Sequence, residues 1–148
     1  MQSVEKMTPK SEAFKLNDFQ FEGINEPVVV RYFETMNSGS FMETARLFAP
    51  DGELNPPFEE PVVGNEAIGR YLEAEAKSMK LYPQQGIVEK LEAENILKVS
   101  VSGRVETPYF GVNINWLFLL NEHQEITSAT IKLVASPQEL LNLRQFKS

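Results

Sequence analysis

No cysteine occurs in the 148 residues. That excludes disulfides, thiolate metal sites and cysteine nucleophiles, and it gives no sign of an oxidising compartment. Histidine occurs once, as His123 in the polar turn Asn121-Glu122-His123-Gln124, where a solvated loop residue is a better reading than a catalytic base. Positive charge is in deficit. With 14 Lys and Arg against 21 Asp and Glu, the formal net charge is −7, which argues against nucleic acid and anionic membranes as partners. No apolar run reaches the roughly 20 residues of a membrane-spanning helix. The start of the chain carries scattered charges and no apolar core of the secretory kind, so a cytoplasmic protein is expected. Zinc spacing, a nucleophile elbow, a phosphate-binding glycine loop and paired carboxylates are all missing from the pattern.

What the chain does have is one long apolar stretch, Thr107 to Leu120, containing the only tryptophan. Read as a strand, it points Phe110, Val112, Ile114, Trp116, Phe118 and Leu120 to one face. Asn113 and Asn115 share the other face with Leu117 and Leu119. Trp116 therefore stands in the middle of an apolar face, and its N–H needs an acceptor there.

Residues 1–22 are polar and mixed in charge and read as a tail, with residues 23–148 as one domain. Asn25 resembles an N-cap and Pro27 a first-turn proline for a helix over Pro27–Met36, whose inward stripe is Val28, Val29, Tyr32, Phe33 and Met36. Ser40 and Glu43 have capping-box spacing for a second helix over Phe41–Ala49. Pro50-Asp51-Gly52 reads as a turn, Glu53–Asn55 as a short strand and Pro56 to Pro61 as irregular chain. A third helix is expected over Asn65–Ser78. From there the period changes to two, and strands are expected over Gly86–Glu92, Ile96–Glu106, Thr107–Leu120 and Ile126–Ala135. Ser136, Pro137 and Glu139 open a terminal helix over 137–146. The fold class is α+β: three N-terminal helices packed on a curved antiparallel sheet, forming a cone with a pocket between the layers.

Two donors stand in apolar surroundings, Tyr32 on the first helix and Trp116 on the sheet. Patterning alone leaves two readings open: core aromatics bonded to backbone carbonyls, or a pair of donors converging on one carbonyl oxygen of an apolar ligand.

The segments PVVVRYFETMN, LFAPDGELNPPFEEPVVGNEAI, TPYFG, NWLFLLN and VASPQELLN resemble the C-terminal domain of the orange carotenoid protein family and its stand-alone homologues, over residues 24–145. The resemblance implies the nuclear-transport-factor-2-like cone. It also implies a ketocarotenoid of the canthaxanthin, echinenone or 3'-hydroxyechinenone type, whose ring carbonyl accepts hydrogen bonds at the positions of Tyr32 and Trp116. Met36, Met79, Leu81, Pro108, Tyr109, Phe110 and Ile114 are then candidate lining residues, each of which could equally be plain core. A non-enzymatic carotenoid carrier and singlet-oxygen quencher in photoprotection is the function implied. Its expected partners are a second copy sharing the carotenoid in a homodimer, helical carotenoid-binding proteins as donors or acceptors, and transient membrane contact for uptake. The terminal helix is expected to close the empty pocket. Three departures from the family pattern stand out: a shortened segment between Phe110 and Trp116, Tyr109 in place of a tryptophan, and the missing cysteine. Two other classes remain open on the same cone: an isomerase or dehydratase, and a protein-interaction module using its acidic surface, including Glu75, whose position matches an acidic interdomain-contact residue.

Overall fold

The computed structural model describes residues 23–134. The expected tail over 1–22 and terminal helix over 137–146 lie outside these residues. Helices α1 (Pro27–Ser38) and α2 (Phe41–Arg46) lead into strand β1 (Phe48–Asn55), the two-residue β2 (Val62–Val63) and helix α3 (Asn65–Glu75). Strands β3 (Lys80–Leu91), β4 (Ile96–Glu106), β5 (Gly111–Leu120) and β6 (Ile126–Val134) follow as a meander, with a 3-10 turn at Glu92–Glu94 between β3 and β4.

The six strands form one sheet in the order β2-β1-β6-β5-β4-β3. It is not wholly antiparallel as expected: β1 runs parallel to β6. The reason is topological, because the long connection from β1 to β6 is a crossover through α3 and four strands, β2 to β5, rather than a hairpin.

Pro27 opens α1, but the N-cap is Glu26, one residue later than expected, with no side-chain cap. Gly39 ends the helix in the left-handed region at φ 76°, which a residue without Cβ adopts at no steric cost. Ser40 makes no capping bond. Glu43 instead pairs with Arg31 of α1 at 3.2 Å, so the capping box does not form. The two helices are joined inside by Thr44 Oγ1 donating to Thr35 Oγ1 at 2.7 Å, while Thr35 donates to the Arg31 carbonyl at 2.8 Å. Both threonines are buried, and this chain of bonds satisfies them.

Helix α2 stops at Arg46 because Phe48 and Ala49 are taken into β1. The expected turn at Pro50-Asp51-Gly52 lies inside that strand. Pairing with β6 jumps from Phe48↔Ile126 to Glu53↔Ser128, and such a bulge tolerates a proline that cannot donate to the ladder. The same logic lengthens β3, which begins at Lys80 rather than Gly86: Pro83 sits beside a register shift on an edge strand. Helix α3 is three residues shorter than expected, ending at Glu75.

Contrary to expectation, the apolar stretch Thr107 to Leu120 is not strand throughout. β5 starts at Gly111, and Thr107 to Phe110 form the hairpin from β4. Thr107 builds that turn: its N–H donates to the Phe110 carbonyl at 2.8 Å, and its Oγ1 accepts from the N–H groups of Tyr109 and Phe110 at 3.2 and 3.1 Å. Beyond it the alternation holds, with Ile114, Trp116, Phe118 and Leu120 buried. These pack against Val29, Tyr32 and Phe33 of α1 in one core. Each such side chain contributes roughly 1.5–3 kcal/mol on full burial.

Candidate functional site

Between α1, α3, the Pro56–Glu59 segment and the inward faces of β4, β5 and β6 lies a cavity of about 340 Å³. Its volume is at the lower end of the range for small-molecule sites, roughly 300–1,000 Å³, and its walls are predominantly apolar, as in such sites. The helix contributes Tyr32 and Met36, the start of β3 contributes Leu81, and β5 contributes Val112, Ile114 and Trp116.

Seven of the nine residues singled out in the sequence share this cavity: Tyr32, Met36, Met79, Leu81, Phe110, Ile114 and Trp116. Phe110 stands at the mouth rather than inside, 61% exposed, because it closes the Thr107 turn. Pro108 and Tyr109 are not part of the wall. They occupy the tip of the hairpin, and Tyr109 is 88% exposed. The segment before Trp116 is regular strand from Gly111 on. β4 and β5 pair without a register shift from Leu97↔Leu120 to Glu106↔Gly111, and Trp116 faces Val101 and Ile131 on the neighbouring strands.

Tyr32 is fully buried, and its hydroxyl is the buried side-chain atom among the described residues left without a hydrogen-bond partner. Burial alone drives its pKa well above the ordinary tyrosine value, so it is a neutral donor at any physiological pH. An unsatisfied buried donor of this kind costs about 1–3 kcal/mol. Around it the rings meet edge to face: Tyr32 with Phe33 at 5.2 Å and with Phe118 at 5.0 Å between centroids. Such contacts fix ring orientation without using the hydroxyl.

Tyr71, Glu59 and Glu75 also border the cavity. Tyr71 donates to Glu59 Oε2 at 3.2 Å. Its pKa is pushed up to about 12, first by burial, then by the charge and hydrogen bond of Glu59 and the charge of Glu75. Glu59 and Glu75 themselves are exposed, so the carboxylates of the wall stand at its rim. Sequence reading missed Tyr71 and Glu59 as neighbours, since their contact depends on how the proline-rich segment folds over α3. It also missed Leu54 and Ile131, both in the wall. Strand alternation around Trp116 offered a signal for Ile131, its cross-strand partner. Among the described residues no group of three or more His, Asp or Glu could hold a metal ion, and no helix is long and apolar enough to cross a membrane.

Helices laid into one face of a mixed sheet, with an apolar cavity between the layers, define a nuclear-transport-factor-2-like domain. An NTF2-like protein of unknown function from Cytophaga hutchinsonii superimposes with a TM-score of 0.61 over 83% of this chain and 99% of that one, at 16% identity. No protein-family model matches the chain. The orange carotenoid-binding protein of Limnospira maxima is 38% identical over 143 residues, covering 94% of this chain and 45% of the relative. The structure of the Orange Carotenoid Protein of Anabaena (Nostoc) sp. PCC 7120 binding canthaxanthin matches with a TM-score of 0.77 and 40% identity over 84% of this chain and 41% of that one. The chain is a homologue of the C-terminal domain of the orange carotenoid protein, and it spans about half the length of the relatives it matches.

Proposed function

We propose that this domain binds a ketocarotenoid of the canthaxanthin, echinenone or 3'-hydroxyechinenone type, with one terminal ring in the cavity and its carbonyl oxygen accepting hydrogen bonds from the Tyr32 hydroxyl and the Trp116 indole N–H. The observation that carries this reading is the buried, unpartnered Tyr32 hydroxyl in the wall of an apolar cavity. A neutral hydrogen bond contributes only about 0.5–1.5 kcal/mol net. Burial of the ring, at roughly 25 cal/mol per Å² of apolar surface, therefore supplies most of the affinity. The donors set the depth of the ring and polarise its carbonyl. Met36 and Met79, both unbranched and adaptable, suit the methylated ring edge.

In this reading the protein is a carotenoid carrier and singlet-oxygen quencher, and not an enzyme. A cavity of this size covers a ring and not a polyene of roughly 30 Å, the length of about 20 helical residues. The remainder is covered by a second copy in a homodimer or by a helical carotenoid-binding protein that donates or accepts the pigment, with loading by transient contact with a membrane. Phe58 at 92%, Phe110 at 61% and Leu133 at 47% exposure border the cavity, and apolar surface of this kind at a mouth marks a contact site.

The test is coexpression with a canthaxanthin pathway. Coloured protein whose band lies to the red of the pigment in solvent is expected. Colourless protein with a folded circular dichroism spectrum would overturn the proposal.

A further inference from the structure

Asn37 sits in the last turn of α1, and its side chain reaches the start of β3. Its Nδ2 donates to the Leu81 carbonyl at 2.8 Å, and its Oδ1 accepts from the Leu81 N–H at 2.8 Å. Strand β3 is the edge of the sheet among the described residues, so the outward backbone groups of Leu81 have no neighbouring strand among them. The carboxamide offers Leu81 the acceptor and the donor that a peptide of a further strand would offer. Lys80 Nζ adds a bond to the Asn37 carbonyl at 3.0 Å.

The clamp joins two elements that both contribute to the wall of the cavity. Leu81 is buried in it, Met36 is the residue before Asn37, and Tyr32 lies little more than a turn earlier on the same helix. Apolar packing is non-directional and would let the helix slide or rotate on the sheet at small cost. A two-point hydrogen bond to one peptide does not. Aspartate lacks the donor and alanine lacks both groups, so asparagine alone of these three can make the contact.

We propose that Asn37 is a positioning residue that holds α1 against β3 and thereby sets how far the Tyr32 hydroxyl projects into the cavity, and so where a ligand's acceptor oxygen comes to rest. The identity of that oxygen as a ketocarotenoid carbonyl rests on the reading above. Asn65 provides the comparison. Its Nδ2 donates to the carbonyls of Ala45 and Phe48 at 2.8 and 2.9 Å, a clamp of similar strength, yet none of the three residues lines the cavity.

The experiment compares the full chain as wild type, Asn37→Ala, Asn37→Asp and Asn65→Ala, both empty and loaded with canthaxanthin; Asn37→Asp is isosteric and covers a failure of the alanine variant to fold. In the empty protein the emission of Trp116, the only tryptophan, is expected to move to the red in the Asn37 variants and to stay in place in Asn65→Ala. In the loaded protein the Asn37 variants are expected to retain pigment on the order of tenfold less tightly, with the visible band displaced toward its solvent position. Equal losses of stability at Asn37 and Asn65, with emission and band unmoved in both, would reduce Asn37 to an edge cap and overturn the proposal. Wild type that takes up no pigment while the emission contrast persists would sink the carotenoid reading and leave the clamp standing.

Discussion

The rings of Phe33 and Trp116 meet at 90° with centroids 4.9 Å apart. Phe33 is fully buried and also touches Tyr32 and Phe118 edge to face. One phenylalanine thus orients both proposed donors. Phe33→Ala is expected to destabilise the protein by about 3–5 kcal/mol, the usual range for a deleted core aromatic. Chemical denaturation followed by circular dichroism measures this, and a loss under about 1 kcal/mol would show that the aromatic cluster does not hold the core together.

Tyr32→Phe removes a buried hydroxyl that has no partner. The empty protein is expected to become more stable by about 1–3 kcal/mol, because the desolvation cost of an unpaired donor disappears. The same substitution is expected to weaken pigment retention. Thermal unfolding of the empty variant and pigment titration of the loaded one give the two halves separately, and a lower melting temperature for the empty variant would mean that water or protein already satisfies the hydroxyl.

The titration of Tyr32 gives the sign of an alkaline effect. Its folded pKa is raised by burial, so above about pH 10 the unfolded chain loses the phenolic proton while the folded one keeps it. Stability from this group is complete below that pH and falls as pH rises, by up to about 1.4 kcal/mol per unit. Tyr71, also raised, acts in the same direction, more weakly because water reaches it. Unfolding free energy measured from pH 8 to 11 should drop more steeply for wild type than for Tyr32→Phe. Parallel curves would count against a dry Tyr32.

Gly103 is the small residue beside the indole. A Cβ there would stand 2.9 Å from Pro83 Cα and 3.1 Å from Trp116 Cζ3, and would also meet the Tyr82 carbonyl. Backbone at the β3 bulge cannot yield cheaply, so Gly103→Ala is expected to cost about 1–3 kcal/mol and to shift the Trp116 emission. An unchanged melting temperature and emission spectrum would show that β3 gives way.

Much of this arrangement was legible in the order of residues. The helical stripe placed Tyr32, Phe33 and Met36 together, and strand alternation placed Ile114, Trp116 and Phe118 on the face that receives them, because both patterns depend on local geometry alone. Phe110 was misread as part of that face, since alternation cannot register that the Thr107 hydroxyl captures two backbone N–H groups and ends the strand. Pro50-Asp51-Gly52 carries turn chemistry, yet it is a bulge, because pairing with β6 from the far end of the chain overrides the local signal. The role of Asn37 was not legible in the sequence. Its partner lies 44 residues away, and no periodicity links a helix end to the edge of a sheet.

The central claim is that a ligand carbonyl lies between Tyr32 and Trp116. The vibrational frequency of the canthaxanthin carbonyl, measured in the loaded protein with isotopically labelled pigment, reports on that hydrogen bonding directly. A frequency below that in apolar solvent, rising in Tyr32→Phe and in Trp116→Phe and reaching the solvent value in the double variant, is the predicted result. A carbonyl frequency identical in wild type and the double variant would contradict the account.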